Sequence, residues 1–397
     1  MSAPVLMFIS SSDYDELVAK GVAGMMTERS EGGYFQRVIS LHPLARKTRV
    51  VRIAEGHDLV ELGFDALPGG ARYRIIRLLF APIYVALAAL AVARIVKKEG
   101  VDVVRASDPY WAALVAWLGT RGTRSHYVVS IHADWDHLHA LDPRKGAPKI
   151  FFSRKAACIL AKFLLRRAER VMCIRESLFG PAERSGARPE CLRYIPHGVD
   201  LCPFRTPELQ PLECISPSRN VIFFAGRLSL ENYIDDVLEV GRRLACRGDC
   251  QLVVAGGGSE EDRLRRETRD DPELTEMIRF LGFIPRDEVI RLRRTAAVNL
   301  APMGGYSLIE ACASGRPTIA YDVQWHSELI ENGKSGLLVP EGDVNAMTTL
   351  VQALLDDSEF ADQIGIAGRK RAFQLHDIEK VFRVRSDVYR ELIEESL

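Results

Sequence analysis

At 397 residues the chain exceeds what one hydrophobic core organises, and two domains of near-equal size are expected. Its 47% hydrophobic and 27% charged content is that of a soluble globular protein and excludes a disordered or fibrous chain. The formal net charge is zero and no nucleic-acid partner is expected, yet residues 1–200 carry 29 Lys and Arg against 20 Asp and Glu (+9), and residues 201–397 carry 24 against 33 (−9).

Met1 to Ile9 has neither a basic n-region nor a cleavage site, so a cytoplasmic location is expected. The eight cysteines are scattered, form no CxxC pair and suit buried thiols in a reducing compartment. Strand candidates in the first half are Val5–Ile9, Val38–Leu41, Val50–Ile53, Val103–Ala106, Tyr127–Ile131, Val171–Ile174 and Leu192–Ile195. The longest uncharged run, Leu78 to Ala93, is interrupted by Pro82 and is short for a membrane span. After the fifth strand, His132, Asp134, Asp136, His137 and His139 offer five potential ligands in eight residues. A strand end turning into a polar loop would spread them, and no metal site is expected. Residues 149–170 are basic and amphipathic: a domain helix with a charged outer face, or a peripheral contact with anionic lipid at the inner face of the cytoplasmic membrane.

Leu201 to Asn220 carries four prolines and no apolar period, which reads as an interdomain linker centred on 204–216. It separates a first domain, 1–203, from a second, 217–376, and a final helix within 377–397 is expected to pack back on the first. Strand candidates resume at Val221–Ala225, Leu252–Ala255, Ile278–Leu281, Ala297–Ala301, Thr318–Ala320 and Gly336–Val339. Continuous apolar runs imply strands buried on both faces, hence two doubly wound, Rossmann-like α/β domains.

In this fold ligands sit at the carboxyl ends of the strands. Four such ends in the second half are informative: Gly226-Arg227-Leu228, Gly256-Gly257-Gly258, Phe280 to Ile284, and Gly304-Gly305-Tyr306-Ser307-Leu308-Ile309-Glu310. Arg227 offers a planar, permanently charged fork for phosphate. The carboxylates Glu260 and Glu261 argue against phosphate at the triple-glycine loop, which more simply permits close packing. The last stretch opens a short helix whose first N–H groups lack intrahelical partners, an anion seat. A capping box between Ser307 and Glu310 is the competing reading.

The order and spacing of these motifs resemble the GT-B glycosyltransferases, specifically the retaining family 4 type. The matching segments are Gly226-Arg227-Leu228, Ala255 to Gly258, Phe280 to Phe283, the block Pro302 to Pro317, the stretch Glu328 to Val339 and, in the first half, Tyr194 to Asp200. The resemblance implies two Rossmann-like domains facing each other across a cleft, a nucleotide-sugar donor on the second and a glycan or lipid-linked acceptor on the first. It implies that Glu310 binds the donor ribose, and that Gly305, Tyr306, Ser307 and Leu308 seat the diphosphate. Arg227 would neutralise it, with Asn232, Phe283 and Ile284 completing the donor site and His132 facing the donor sugar as a catalytic group. No cofactor or metal is implied. Two positions depart from the family: Pro302 stands where a carboxylate eight residues before Glu310 is usual, and Asn232 replaces a lysine. Two alternatives follow: a nucleotide-sugar epimerase on the same fold, and a non-catalytic nucleotide-sugar-binding protein.

Overall fold

The structure, a computed structural model, describes residues 3–10, 14–19, 23–45, 47–63, 74–141, 153–206 and 219–395. The chain divides into two compact units, Met1–Pro196 with Phe382–Leu397, and His197–Val381. Residues 197–203, read from the sequence as the end of the first domain, group with the second unit, and most of the expected linker lies outside the described residues.

The first unit holds an eight-stranded sheet. In chain order its strands are β1 (Val5–Ile9), β2 (Arg37–Ala45), β3 (Arg49–Ala54), β4 (His57–Gly63), β5 (Val103–Ala106), β6 (His126–Ile131), β7 (Arg170–Cys173) and β8 (Leu192–Tyr194). Their spatial order is β3-β4-β2-β1-β5-β6-β7-β8. All pairs are parallel except β3 with β4, an antiparallel hairpin turned at Glu55-Gly56, where Gly56 has φ 70°. The seven expected strands are present, and β4 is the addition. Its strict alternation of buried and half-buried residues is that of an edge region, not of a doubly covered strand.

The two sheet faces differ chemically. Met7, Ile9, Val104, Ala106, Val129 and Ile131 face helices α1 (Arg74–Glu99) and α2 (Trp111–Thr120) in one apolar core. Alternation turns Phe8, Ser40, Arg105 and Ser130 to the other side. There Arg105 donates to Ser130 Oγ (2.7 Å) and to the Tyr389 hydroxyl (3.0 Å), and Arg385 bonds both oxygens of buried Glu31 (3.0 and 2.8 Å). Arg385 and Tyr389 belong to the last helix, Ile378–Glu394, whose residues from Phe382 onward complete this unit.

The second unit is a six-stranded, wholly parallel sheet. Its strands are β9 (Asn220–Ala225), β10 (Cys250–Ala255), β11 (Ile278–Gly282), β12 (Val298–Leu300), β13 (Thr318–Tyr321) and β14 (Leu337–Val339), in the order β11-β10-β9-β12-β13-β14. Central β9 buries Ile222, Phe223 and Phe224 almost completely, each worth about 1.5–3 kcal/mol of apolar transfer. The chain crosses over between β9 and β12, so their carboxyl ends form the switch point where this architecture opens a crevice. Among the described residues, no helix is long and apolar enough to cross a membrane.

Candidate functional site

A cavity of about 370 Å³ lies at the carboxyl ends of β9, β10 and β11. Its wall includes Arg227, Phe283, Ile284, Arg293, Ser307 and Glu310, with Gly226, Gly256 and Gly257 as backbone floor. Five of the expected donor-site residues therefore share one cavity. Helix α3 (Tyr306–Ala313) opens beside it, with Gly305 as N-cap and Leu308 fully buried beneath. Its first-turn N–H groups have no acceptor within the helix.

The capping box is not formed. Ser307 donates its hydroxyl to the Ala225 carbonyl at the end of β9 (2.7 Å) and accepts from Arg293 Nη2 (2.8 Å). Glu310 is held instead by Arg286, whose Nε and Nη2 both lie 2.9 Å from Oε1. The tie to Ala225 thus couples the helix start to the strand end that carries Arg227.

The glycines of the second strand end are there for close approach. A Cβ on Gly256 would stand 1.9 Å from the Gly226 carbonyl oxygen, and one on Gly258 2.2 Å from that of Leu228. Close packing, rather than a phosphate loop, is their role, and Glu260 and Glu261 pair with Arg263 and Arg265. Phe283 projects from the next strand end with 92% of its surface exposed, on the cavity rim.

Asn232 does not line the cavity. Its side-chain amide donates to the Arg227 carbonyl (2.9 Å) and to Ser229 Oγ (3.2 Å), fixing the loop that presents the arginine. Pro302 accepts from the Tyr321 amide (3.3 Å). Tyr306 packs its ring 5.5 Å from that of His197.

Three residues of the site escaped the sequence reading. Arg286 and Arg293 lie on the helix Arg286–Thr295, where a run of four arginines reads as a solvated face. The available signal was the period: Arg293 falls three and four residues after Ile290 and Val289, on the apolar stripe. His326, fully buried, is bracketed by backbone: Nδ1 faces the Tyr321 carbonyl (2.7 Å) and Nε2 the Gly304 amide (3.3 Å). A ring protonated on Nδ1 satisfies both and holds the loop before α3.

His132 stands at the end of β6 in the first unit. The polar loop expected after it is a short helix, Trp135–Leu141, started by Asp134, which accepts from the amides of Asp136 and His137 (3.0 Å each). Asp136 pairs with Arg154, so these carboxylates are used locally. Among the described residues no group of three His, Cys, Asp or Glu could hold a metal ion. A second cavity, about 210 Å³, lies in this unit between Tyr110, Asp134, Trp135, Cys158, Lys162 and Arg184. Of the basic segment 149–170, Arg154–Leu165 is helical; Ala157, Ala161, Leu164 and Leu165 are buried, and Ile159 is 71% exposed on the outer face.

The sequence and the fold match those of known proteins. Residues 211–371 match the family model "Glycosyl transferases group 1", and residues 18–198 match "Glycosyl transferase 4-like domain". The chain therefore carries a group 1 glycosyl transferase domain in its second half and a glycosyl transferase 4-like domain in its first. It is 24% identical over 240 residues to an alpha-D-kanosaminyltransferase of Streptomyces kanamyceticus, covering 58% of this chain and 56% of that protein. It is 35% identical over 130 residues to a phosphatidyl-myo-inositol mannosyltransferase of Mycobacterium leprae, 32% of this chain and 34% of that one. The chain thus spans about half the length, or less, of these curated relatives. Among solved structures, Anabaena Alr3699/HepE in complex with UDP superposes with a TM-score of 0.69 at 16% identity, over 98% of this chain and 100% of that one. The shared architecture is the GT-B fold of two Rossmann-like domains.

Proposed function

We propose that the chain is a retaining glycosyltransferase. It transfers a hexosyl or related sugar from a nucleotide-sugar donor to a glycan or lipid-linked acceptor, in cell-surface polysaccharide or glycolipid synthesis. The observation that carries this reading is the charge of the cavity. In a half of the chain with a balance of −9, two arginines and one carboxylate line a site that also receives a helix N-terminus. Glu310 would accept from the ribose hydroxyls, the first turn of α3 would seat the diphosphate, and Arg227 would stabilise its charge as it leaves. The bond from the anomeric carbon to the diphosphate oxygen breaks, the acceptor oxygen bonds on the same face, and its proton passes to the departing diphosphate. His132 is assigned to the donor sugar. Solved relatives described with UDP and with UDP-glucose support a nucleotide-sugar donor.

The first domain, 1–203, would bind the acceptor, with the 210 Å³ cavity as part of its seat. The second, 217–376, would bind the donor. The outer face of 154–165 would bring the enzyme to the inner face of the cytoplasmic membrane. Because Arg227 and α3 supply the positive charge, transfer would need no metal, and EDTA would leave the rate unchanged.

Asn232 favours a second reading. It brings no cation where the family has a lysine and is spent on the loop, as a non-catalytic nucleotide-sugar-binding protein would allow. A thermal-shift panel of UDP-, GDP-, dTDP- and CDP-sugars on wild type and Glu310→Ala tests the site. A ligand at a hundredfold excess over Kd stabilises by about 2.7 kcal/mol. One donor giving a shift that Glu310→Ala abolishes supports the assignment, and no shift with any donor sinks it. Donor turnover by the purified chain then excludes the non-catalytic reading.

A further inference from the structure

Arg293 has a position that its neighbours do not explain. It is 1% exposed, and its Nε and Nη1 are buried without a hydrogen-bond partner. Only Nη2 is used, on Ser307 Oγ (2.8 Å). Glu310 Oε2 stands 3.9 Å from Nε, beyond hydrogen-bond reach, and the other oxygen of that carboxylate is occupied by Arg286. The Phe223 ring lies on the remaining side, its centroid 5.8 Å from the guanidinium carbon. A full positive charge is therefore held in a low-dielectric floor, immediately below the first turn of α3, with its attraction to protein carboxylates only partly satisfied.

Such a charge is costly to desolvate, and burial lowers the Arg293 pKa. An apolar side chain would serve packing alone at less cost. What the guanidinium adds is a field. A cation in a poorly screened interior acts over several ångströms without contact, on whatever charge enters the cavity above it. It also adds an anchor, because Ser307 is fixed between Arg293 and the Ala225 carbonyl, one residue before Gly226-Arg227.

We propose that Arg293 is the positioning residue of the anion seat, fixing Ser307 and supplying the buried positive charge that makes the cavity select ligands by their phosphate charge. It lines the cavity with only 1% of its surface exposed, and acts through Ser307 and through its charge. This inference rests on reading the cavity as a nucleotide-sugar site. It also gives a physical account of Asn232: the second cation that the loop lacks is placed below the seat instead of beside it.

The test is calorimetric titration. UDP, GDP, dTDP and CDP first identify the base; the matching nucleoside, monophosphate and diphosphate are then titrated into wild type, Arg293→Gln and Arg293→Lys. Glutamine keeps a donor for Ser307 and removes the charge, whereas lysine keeps the charge. Expected for Arg293→Gln is a loss that grows with ligand charge: under about twofold for the nucleoside, severalfold for the monophosphate and about tenfold or more for the diphosphate, with Arg293→Lys recovering most of it. Equal losses for all three ligands, or none, would overturn the proposal, since a merely structural arginine has no reason to distinguish them. If neither variant folds, by circular dichroism without ligand, Ser307→Ala carries the test: diphosphate affinity must fall relative to nucleoside affinity. A wild type that binds none of the diphosphates overturns the reading of the cavity itself, and the inference with it.

Discussion

Arg286 and Glu310 form a bridge rather than a simple pair: the guanidinium grips Glu310 Oε1 at 2.9 Å and also donates to the Asp200 carbonyl at 2.8 Å. The carboxylate is 13% exposed and the arginine 48%, so the arginine sits on the solvent side and fixes the rotamer of a group that faces the cavity. Holding one oxygen leaves the other for a ligand diol.

Arg286→Ala should therefore separate stability from binding. A half-exposed pair contributes about 0–1 kcal/mol, so the thermal midpoint should move little. Nucleotide affinity should fall by about three- to tenfold as Glu310 gains rotamers. Parallel thermal melts and titrations check this, and a large loss of stability without ligand would show the bridge to be structural.

Two glycines of the site should respond in opposite ways. Gly256 has φ 128° and no room for a Cβ against the Gly226 carbonyl, whereas a Cβ on Gly305 meets nothing within 4 Å. Gly256→Ala should cost more than about 3 kcal/mol in denaturant unfolding. Gly305→Ala should leave the unfolding curve in place and weaken diphosphate binding, because its methyl group would stand at the mouth of α3.

The buried pair Glu31–Arg385 predicts a non-additive result. Glu31 is 3% exposed and adopts φ 52°, and removing Arg385 takes both of its close hydrogen bonds and leaves it, among the described residues, only Arg105, 3.6 Å away. Arg385→Met should cost about 3–5 kcal/mol. Adding Glu31→Gln to it should restore part of the loss, which a double-mutant cycle of urea midpoints measures.

His57 should make stability depend on pH. Burial, followed by the charge of Arg29, lowers its pKa to about 4, and its Nε2 lies 2.8 Å from Ser40 Oγ. The unfolded chain protonates this ring near its ordinary value of about 6.5, and the folded chain does not until about pH 4. The unfolded state thus binds the extra proton in that window, so stability present above pH 6.5 is lost on acidification towards 4. Thermal melts from pH 7.5 to 4.5 should show the decline, and His57→Phe should flatten it.

The sheets were legible because parallel strands buried on both faces leave continuous apolar runs, as in Val221–Ala225 and Leu252–Ala255. β4 was not, since His57, Asp58 and Glu61 break any apolar run, and only its period of two marks it. Within the site, motif residues at strand ends were visible as Gly226-Arg227 and Glu310. Arg293 and His326 were not: local sequence records the chemistry of a side chain but not that a fold will bury it. The capping box that the Ser307–Glu310 spacing also allows does not form, because tertiary partners outcompete the local cap.

The first unit is not contiguous in sequence. Its Glu31 and Arg105 wait for Arg385 and Tyr389, which a ribosome makes only after all 185 residues of the second unit, 197–381. At about 5–20 residues per second, that is a delay of roughly ten to forty seconds. Throughout it a nascent chain has Glu31 with Arg105 as its one ion-pair partner among the described residues and a sheet face without its cover. The second unit, uninterrupted, is free to fold first, leaving the N-terminal half as the segment most in need of a chaperone during synthesis.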